Sequence, residues 1–114
     1  MKRIKLLFLV LVLSFAFPVI SGACTFTLAL HDDYNDGWNG GRITVLVNGV
    51  VAVPDTTLTT GSGPLNITFQ ANANDVMTIL YTAGSWAYEN YYYVYDALST
   101  VIYSDGTGGA VPTG

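Results

Sequence analysis

The sequence predicts an all-β chain folded as a single antiparallel β-sandwich or jelly roll, and three observations carry that prediction. After residue 23, apolar and polar residues alternate in short runs, and no segment has helical spacing. Clusters of Gly, Asn, Asp and Pro break those runs at regular intervals. The runs themselves are rich in Val, Ile, Thr and Tyr, side chains that suit a pleated, half-buried surface.

The first run, residues 25–31, sets Phe26, Leu28 and Leu30 on one face and Thr25, Thr27 and Ala29 on the other. Residues 42–47 repeat the pattern, with Ile43, Val45 and Val47 inward. Asn48-Gly49 between β-branched runs is a strong short-range hairpin signal, so residues 50–53 form the return strand, ended by Pro54-Asp55. Residues 56–60 read either as a short edge strand or as a polar loop. A Gly61-Ser62-Gly63-Pro64 turn leads to residues 65–71, where Leu65, Ile67, Phe69 and Ala71 alternate with Asn66, Thr68 and Gln70. Residues 76–82 are apolar on both faces and read as a central strand. Residues 88–96 and 101–103 form the last hairpin. With six to eight such strands and no visible repeat, a two-sheet sandwich is the expected architecture.

The ends of the chain are read differently. Lys2, Arg3 and Lys5 precede an almost unbroken apolar stretch over residues 6–20, and Ser21-Gly22-Ala23 supplies small residues where a signal peptidase cuts. That stretch is short for a spanning helix. The expectation is a signal peptide over residues 1–23, a sandwich domain over 24–105 and a flexible tail over 106–114, in a protein that is secreted or held at the cell surface. No transmembrane segment is expected in the mature form.

Beyond residue 23 there is no lysine, and eight acidic side chains against Arg42 leave a net charge of −7. That balance excludes nucleic-acid binding, which needs basic side chains against phosphates, and electrostatic attachment to anionic membranes. Cys24 is the only cysteine, so no internal disulfide forms. As the first mature residue it suits an intermolecular bridge, a lipid anchor or a spare thiol, although Ser21 departs from the usual lipobox. Catalysis is not expected. His31 is the only histidine, no Gly-x-Ser-x-Gly elbow exists, and a small domain leaves little room for a cleft between paired carboxylates.

Residues 31–41, His-Asp-Asp-Tyr-Asn-Asp-Gly-Trp-Asn-Gly-Gly, are the chemically richest stretch. Hard oxygen donors in a glycine-bent loop are what a calcium ion needs, since Ca²⁺ takes about 6–8 oxygen ligands in irregular geometry. Asp32, Tyr34 and Asp36 fall at alternate positions, and Gly37 permits the turn that follows. The start resembles a helical-hand calcium loop, but its twelfth position is Ile43 rather than Glu, so a further carboxylate must come from elsewhere. The plain alternative is an Asx-rich surface turn. Glu89, the chain's one glutamate, is the candidate to complete the set, because an unpaired carboxylate in a tyrosine-rich strand resists burial unless a cation meets it. Its alternative is an edge glutamate paired with Arg42. Asn39 can add a carboxamide oxygen, and Tyr34 and Trp38 their backbone carbonyls.

Residues 32–40, Asp-Asp-Tyr-Asn-Asp-Gly-Trp-Asn-Gly, resemble the Asp-Ser-Tyr-Gly-Asp-Gly-Trp-Asn-Gly signature of a secreted β-sandwich family of extracellular and surface proteins, common in marine and environmental bacteria. Cys24, Asn48-Gly49 and Glu89-Asn90-Tyr91-Tyr92 match further parts of its pattern. Asp33 stands where that family has Ser, and Asn35 where it has Gly. The resemblance implies a calcium-binding sandwich with the Glu-Asn pair beside the signature loop. It implies little about biological role.

Six of the eight tyrosines lie between Tyr81 and Tyr95, with Trp86 among them. Tyr91, Tyr93 and Tyr95 share one face of a strand, and Tyr88, Asn90, Tyr92 and Val94 the other. One face packs the core. The other offers stacking or interface residues, with Trp86, Tyr88 and Tyr92 as the candidates, since Tyr and Trp are enriched at interfaces. The leading expectation is a structural, self-associating extracellular subunit of a fibre or of the cell surface, with calcium holding the loops rigid. The alternative is a carbohydrate-binding module in which the same aromatics stack on glycans beside the calcium.

Overall fold

The computed structural model describes residues 24–114, and the signal-peptide expectation for residues 1–23 lies outside them. Seven strands span the described residues: β1 Cys24–Asp32, β2 Arg42–Val47, β3 Val50–Thr56, β4 Leu65–Ala71, β5 Met77–Thr82, β6 Asn90–Tyr95 and β7 Val101–Asp105. They form two antiparallel sheets, ordered β4-β1-β6-β7 and β3-β2-β5, which pack face to face as a β-sandwich. Among the described residues no helix is long and apolar enough to cross a membrane.

The alternation read from the sequence decides which side chains meet between the sheets. Leu28 and Leu30 of β1, Phe69 of β4 and Val94 of β6 face Ile43 and Val45 of β2 and Val53 of β3. Two loop residues complete this core: Trp38, wholly buried, and Leu58 from the segment after β3. Residues 56–60 are thus a loop beyond Thr56, held down by one apolar side chain.

Pro54 lies inside β3 rather than ending it. The pairing runs Ile43 with Thr56 but Val45 with Val53, so β3 carries one extra residue there. A proline is tolerated because the bulge and the free outer edge of β3 demand no amide donor from it.

Other expectations change as well. Strand β5 is an edge, not a central strand; its outward Leu80 stays exposed, as does Val76 just before it. Tyr92 is not available for stacking: it sits opposite Leu30 in the β1–β6 register, on the core face, and is fully buried. Its hydroxyl donates to Asp105 Oδ2 at 3.0 Å, and burial beside that charge pushes the phenol well above its ordinary pKa. Arg42, the alternative partner for Glu89, pairs instead with Asp55 at 2.6 Å. Residues 106–114, expected as a flexible tail, fold back on the domain. Asp105 Oδ2 accepts from the amides of Thr113 and Gly114, each at 2.9 Å, and the Tyr103 hydroxyl donates to the Gly114 carbonyl at 3.0 Å.

Candidate metal centre

The last residue of β1 and the first of β6 lie side by side, Asp32 opposite Asn90. Cross-strand partners project to the same face of a sheet, so this corner brings Asp32 next to the Glu89-Asn90 pair. The Asp33 amide donates to the Glu89 carbonyl at 2.9 Å and ties the loop after β1 to the turn before β6.

From there the chain doubles back within one carboxylate's reach. Asp32 Oδ2 accepts from the amides of Tyr34, at 3.2 Å, and Asp36, at 2.8 Å. Asn35 takes the left-handed conformation (φ 60°), which asparagine tolerates better than most residues. The far side of the loop is pinned to the segment after β3: the Gly37 amide donates to the Gly61 carbonyl at 3.1 Å, and the Trp38 amide to the Leu58 carbonyl at 2.7 Å. Gly37 is required by that approach, since a Cβ there would stand 2.6 Å from the Leu58 oxygen, at a φ of 78°. The Trp38 indole plugs the core beneath, its Nε1 donating to the His31 carbonyl at 2.7 Å and its ring edge-on to Tyr81.

The outcome is a cluster of Asp32, Asp36 and Glu89 whose ligand oxygens lie within 4.8 Å of one another. Two of the three side chains are almost wholly enclosed, Asp32 at 2% exposure and Glu89 at 5%, while Asp36 opens to solvent. Asp32 Oδ1 and Glu89 Oε1 are buried and meet no donor; the same holds for Asn90 Oδ1, whose amide nitrogen donates to the Tyr81 hydroxyl at 2.8 Å. Buried polar atoms are nearly always paired. Two of the orphaned oxygens belong to one carboxylate cluster, which a positive partner would satisfy.

The electrostatics agree. Burial raises the Glu89 carboxyl above its usual range, and the charges of Asp36, Asp32 and Asp33 raise it further. Burial likewise raises Asp32, with the Asp36 amide pulling the other way. Among the described residues the one arginine is engaged with Asp55, and no lysine occurs. The arrangement can hold a metal ion, and an all-oxygen carboxylate set suits a hard cation rather than zinc or copper.

Of the residues singled out from the sequence, Asp32, Asp36 and Glu89 are brought together. Asn39 makes its described contacts elsewhere: its amide nitrogen reaches the Gly37 carbonyl at 3.4 Å, and its own carbonyl accepts from the Ser85 amide at 3.0 Å. Trp86 and Tyr88 are exposed, at 57% and 49%, and lie edge to face 6.4 Å apart. Together with Tyr34, Asp36 and Glu89 they line a cleft of about 390 Å³ over the carboxylates. Tyr34, exposed and lining the same cleft, is a member that spacing alone did not reveal, because loop positions carry no periodicity to say which way a ring points.

No family model matches this chain, and neither a curated protein nor a solved structure does.

Proposed function

We propose that this chain is a secreted β-sandwich that binds calcium between Asp32, Asp36 and Glu89 and serves as a self-associating structural subunit outside the cell. The observation that carries the calcium reading is the pair of buried carboxylate oxygens, Asp32 Oδ1 and Glu89 Oε1, left without a donor. Ligands on opposite sides of a calcium ion, each at about 2.3–2.6 Å, lie about 5 Å apart, which matches a cluster whose atoms fall within 4.8 Å. Calcium also accepts the irregular, protein-rich shell that this loop offers, whereas magnesium prefers a near-octahedral shell that keeps several waters.

Support for association comes from the sheet edges. β7 is an outermost strand, and its Val101, Ile102 and Tyr103 are all 40–50% exposed and uncharged. Natural edges are commonly blunted by lysine, and none occurs after residue 5. Between β7 and the edge strand β5 runs a groove whose apolar lining is Phe26, Met77, Ile79, Ile102 and Tyr103, with Asn72, Asn74, Asp75 and the chain's Gly114 along its rest.

Sedimentation velocity across a concentration series, in calcium and in chelator, tests the reading. Wild type should sediment as large species in calcium. Ile102→Lys should return it to monomer while changing folding stability by no more than about 0.5 kcal/mol, as surface substitutions usually do. A monomer at every concentration and calcium level would end the assembly part of the proposal and leave the metal centre standing.

A further inference from the structure

We infer that the cleft over the metal centre binds a neutral saccharide, whose vicinal hydroxyls complete the calcium shell while its ring stacks on Trp86. This rests on the calcium reading above and adds a ligand to it. The first ground is coordination. Three carboxylates enclose the ion from the protein side, yet Asp36 faces solvent and the cleft opens there. Calcium takes about 6–8 oxygens, so positions remain on the open side for oxygens that the chain does not supply.

The second ground is the cleft wall. Trp86 is held in the left-handed region, φ 58° and ψ 37°, a conformation that bulky residues rarely adopt. Backbone outliers of this type cluster at functional sites. The indole contributes nothing to the core: it is 57% exposed, with Tyr88 edge-on beside it and Tyr34, 73% exposed, also lining the cleft. Flat aromatic faces next to open coordination positions match a pyranose, which presents C–H groups on one face and paired hydroxyls at its rim.

The third ground is charge. A divalent cation on three carboxylates leaves the centre at −1, with Asp33 adjoining and the lone arginine engaged by Asp55. Phosphate, sulfate and carboxylate ligands are therefore disfavoured, and so is an acidic side chain from a second copy of this chain. Neutral hydroxyl oxygens carry no such penalty.

Native gel electrophoresis of the purified protein, in gels containing mannan, galactan or β-glucan, with polygalacturonate as a polyanion and a plain gel as reference, tests the inference. In calcium, at least one neutral polysaccharide should retard the protein. Chelator should restore its mobility. Trp86→Ala should also abolish retardation, while keeping the calcium-induced rise in melting temperature. The inference is overturned by unchanged mobility in every neutral gel for a protein whose melting temperature calcium does raise. Retardation that survives chelator or Trp86→Ala overturns it too, as does retardation by polygalacturonate alone. If calcium leaves the melting temperature unmoved, the calcium reading itself fails and the saccharide site with it.

Discussion

With Glu89 enclosed beside Asp32 and Asp36, three carboxylates share one corner without a described cationic partner. Burial and neighbouring charge raise both Glu89 and Asp32, so a proton or a cation relieves the corner. Glu89→Gln removes a charge while keeping the shape. In chelator it should melt at or above wild type, and it should lose the response to calcium; a variant melting lower in chelator would mean that Glu89 is stabilised by something other than a metal. The two tryptophans divide along the same line. Trp38 is fully buried and bonded to the His31 carbonyl, so Trp38→Ala should cost about 3–5 kcal/mol in urea unfolding. Trp86→Gly should leave stability unchanged or raise it by up to about 1 kcal/mol, because glycine enters the left-handed region freely. A large loss at Trp86 would assign it to packing.

The elements differ in how far their own residues announce them. Leu65–Ala71 and the Asn48-Gly49 hairpin are read correctly because alternation and turn chemistry are local. β5 is misread as central because apolar residues on both faces imitate a buried strand; only the sheet order, a non-local property, leaves Leu80 in water. Alternation also separates Tyr92 from Tyr91 and Tyr93 without saying which face is core. That follows from pairing with Leu30 on β1. Asp32 and Asp36 are legible from spacing inside one loop, and Glu89 from its being the sole glutamate. The anchoring of Thr113 and Gly114 through Asp105 has no local signal at all. The loop's support from the segment after β3 is likewise visible only in three dimensions, and Gly37→Ala tests it. Its Cβ would collide with the Leu58 carbonyl at a positive φ, so the variant should lose at least about 1 kcal/mol and bind calcium more weakly. Unaltered calcium affinity would show that loop position does not set the site.

For the molecule as a whole, the buried carboxylates of the candidate metal centre make stability a function of pH. Glu89 and Asp32 have folded-state pKa values above their unfolded ones. Their contribution to the metal-free fold is therefore fully present below the unfolded pKa, about 4, and is lost as pH rises through the folded values. Asp75, lowered by the Asn72 amide and the Asn48 side chain, works in the opposite sense, and His31, lowered chiefly by burial, favours the fold as pH rises. The difference between calcium and chelator at each pH cancels Asp75, whose partners Asn72 and Asn48 lie outside the cluster. That increment should grow from pH 4 to pH 7, as protons leave the carboxylates that calcium must occupy. An increment independent of pH would place the ion elsewhere.

Thermal unfolding of the purified protein at pH 7, in excess calcium and in chelator, tests the metal centre most directly. At a calcium concentration one hundred times the dissociation constant, mass action should stabilise the fold by about 2.7 kcal/mol, raise the melting temperature by several degrees, and be undone by chelator. Asp36→Ala should erase the difference with strand content preserved. Superimposable wild-type curves in calcium and in chelator would contradict the account.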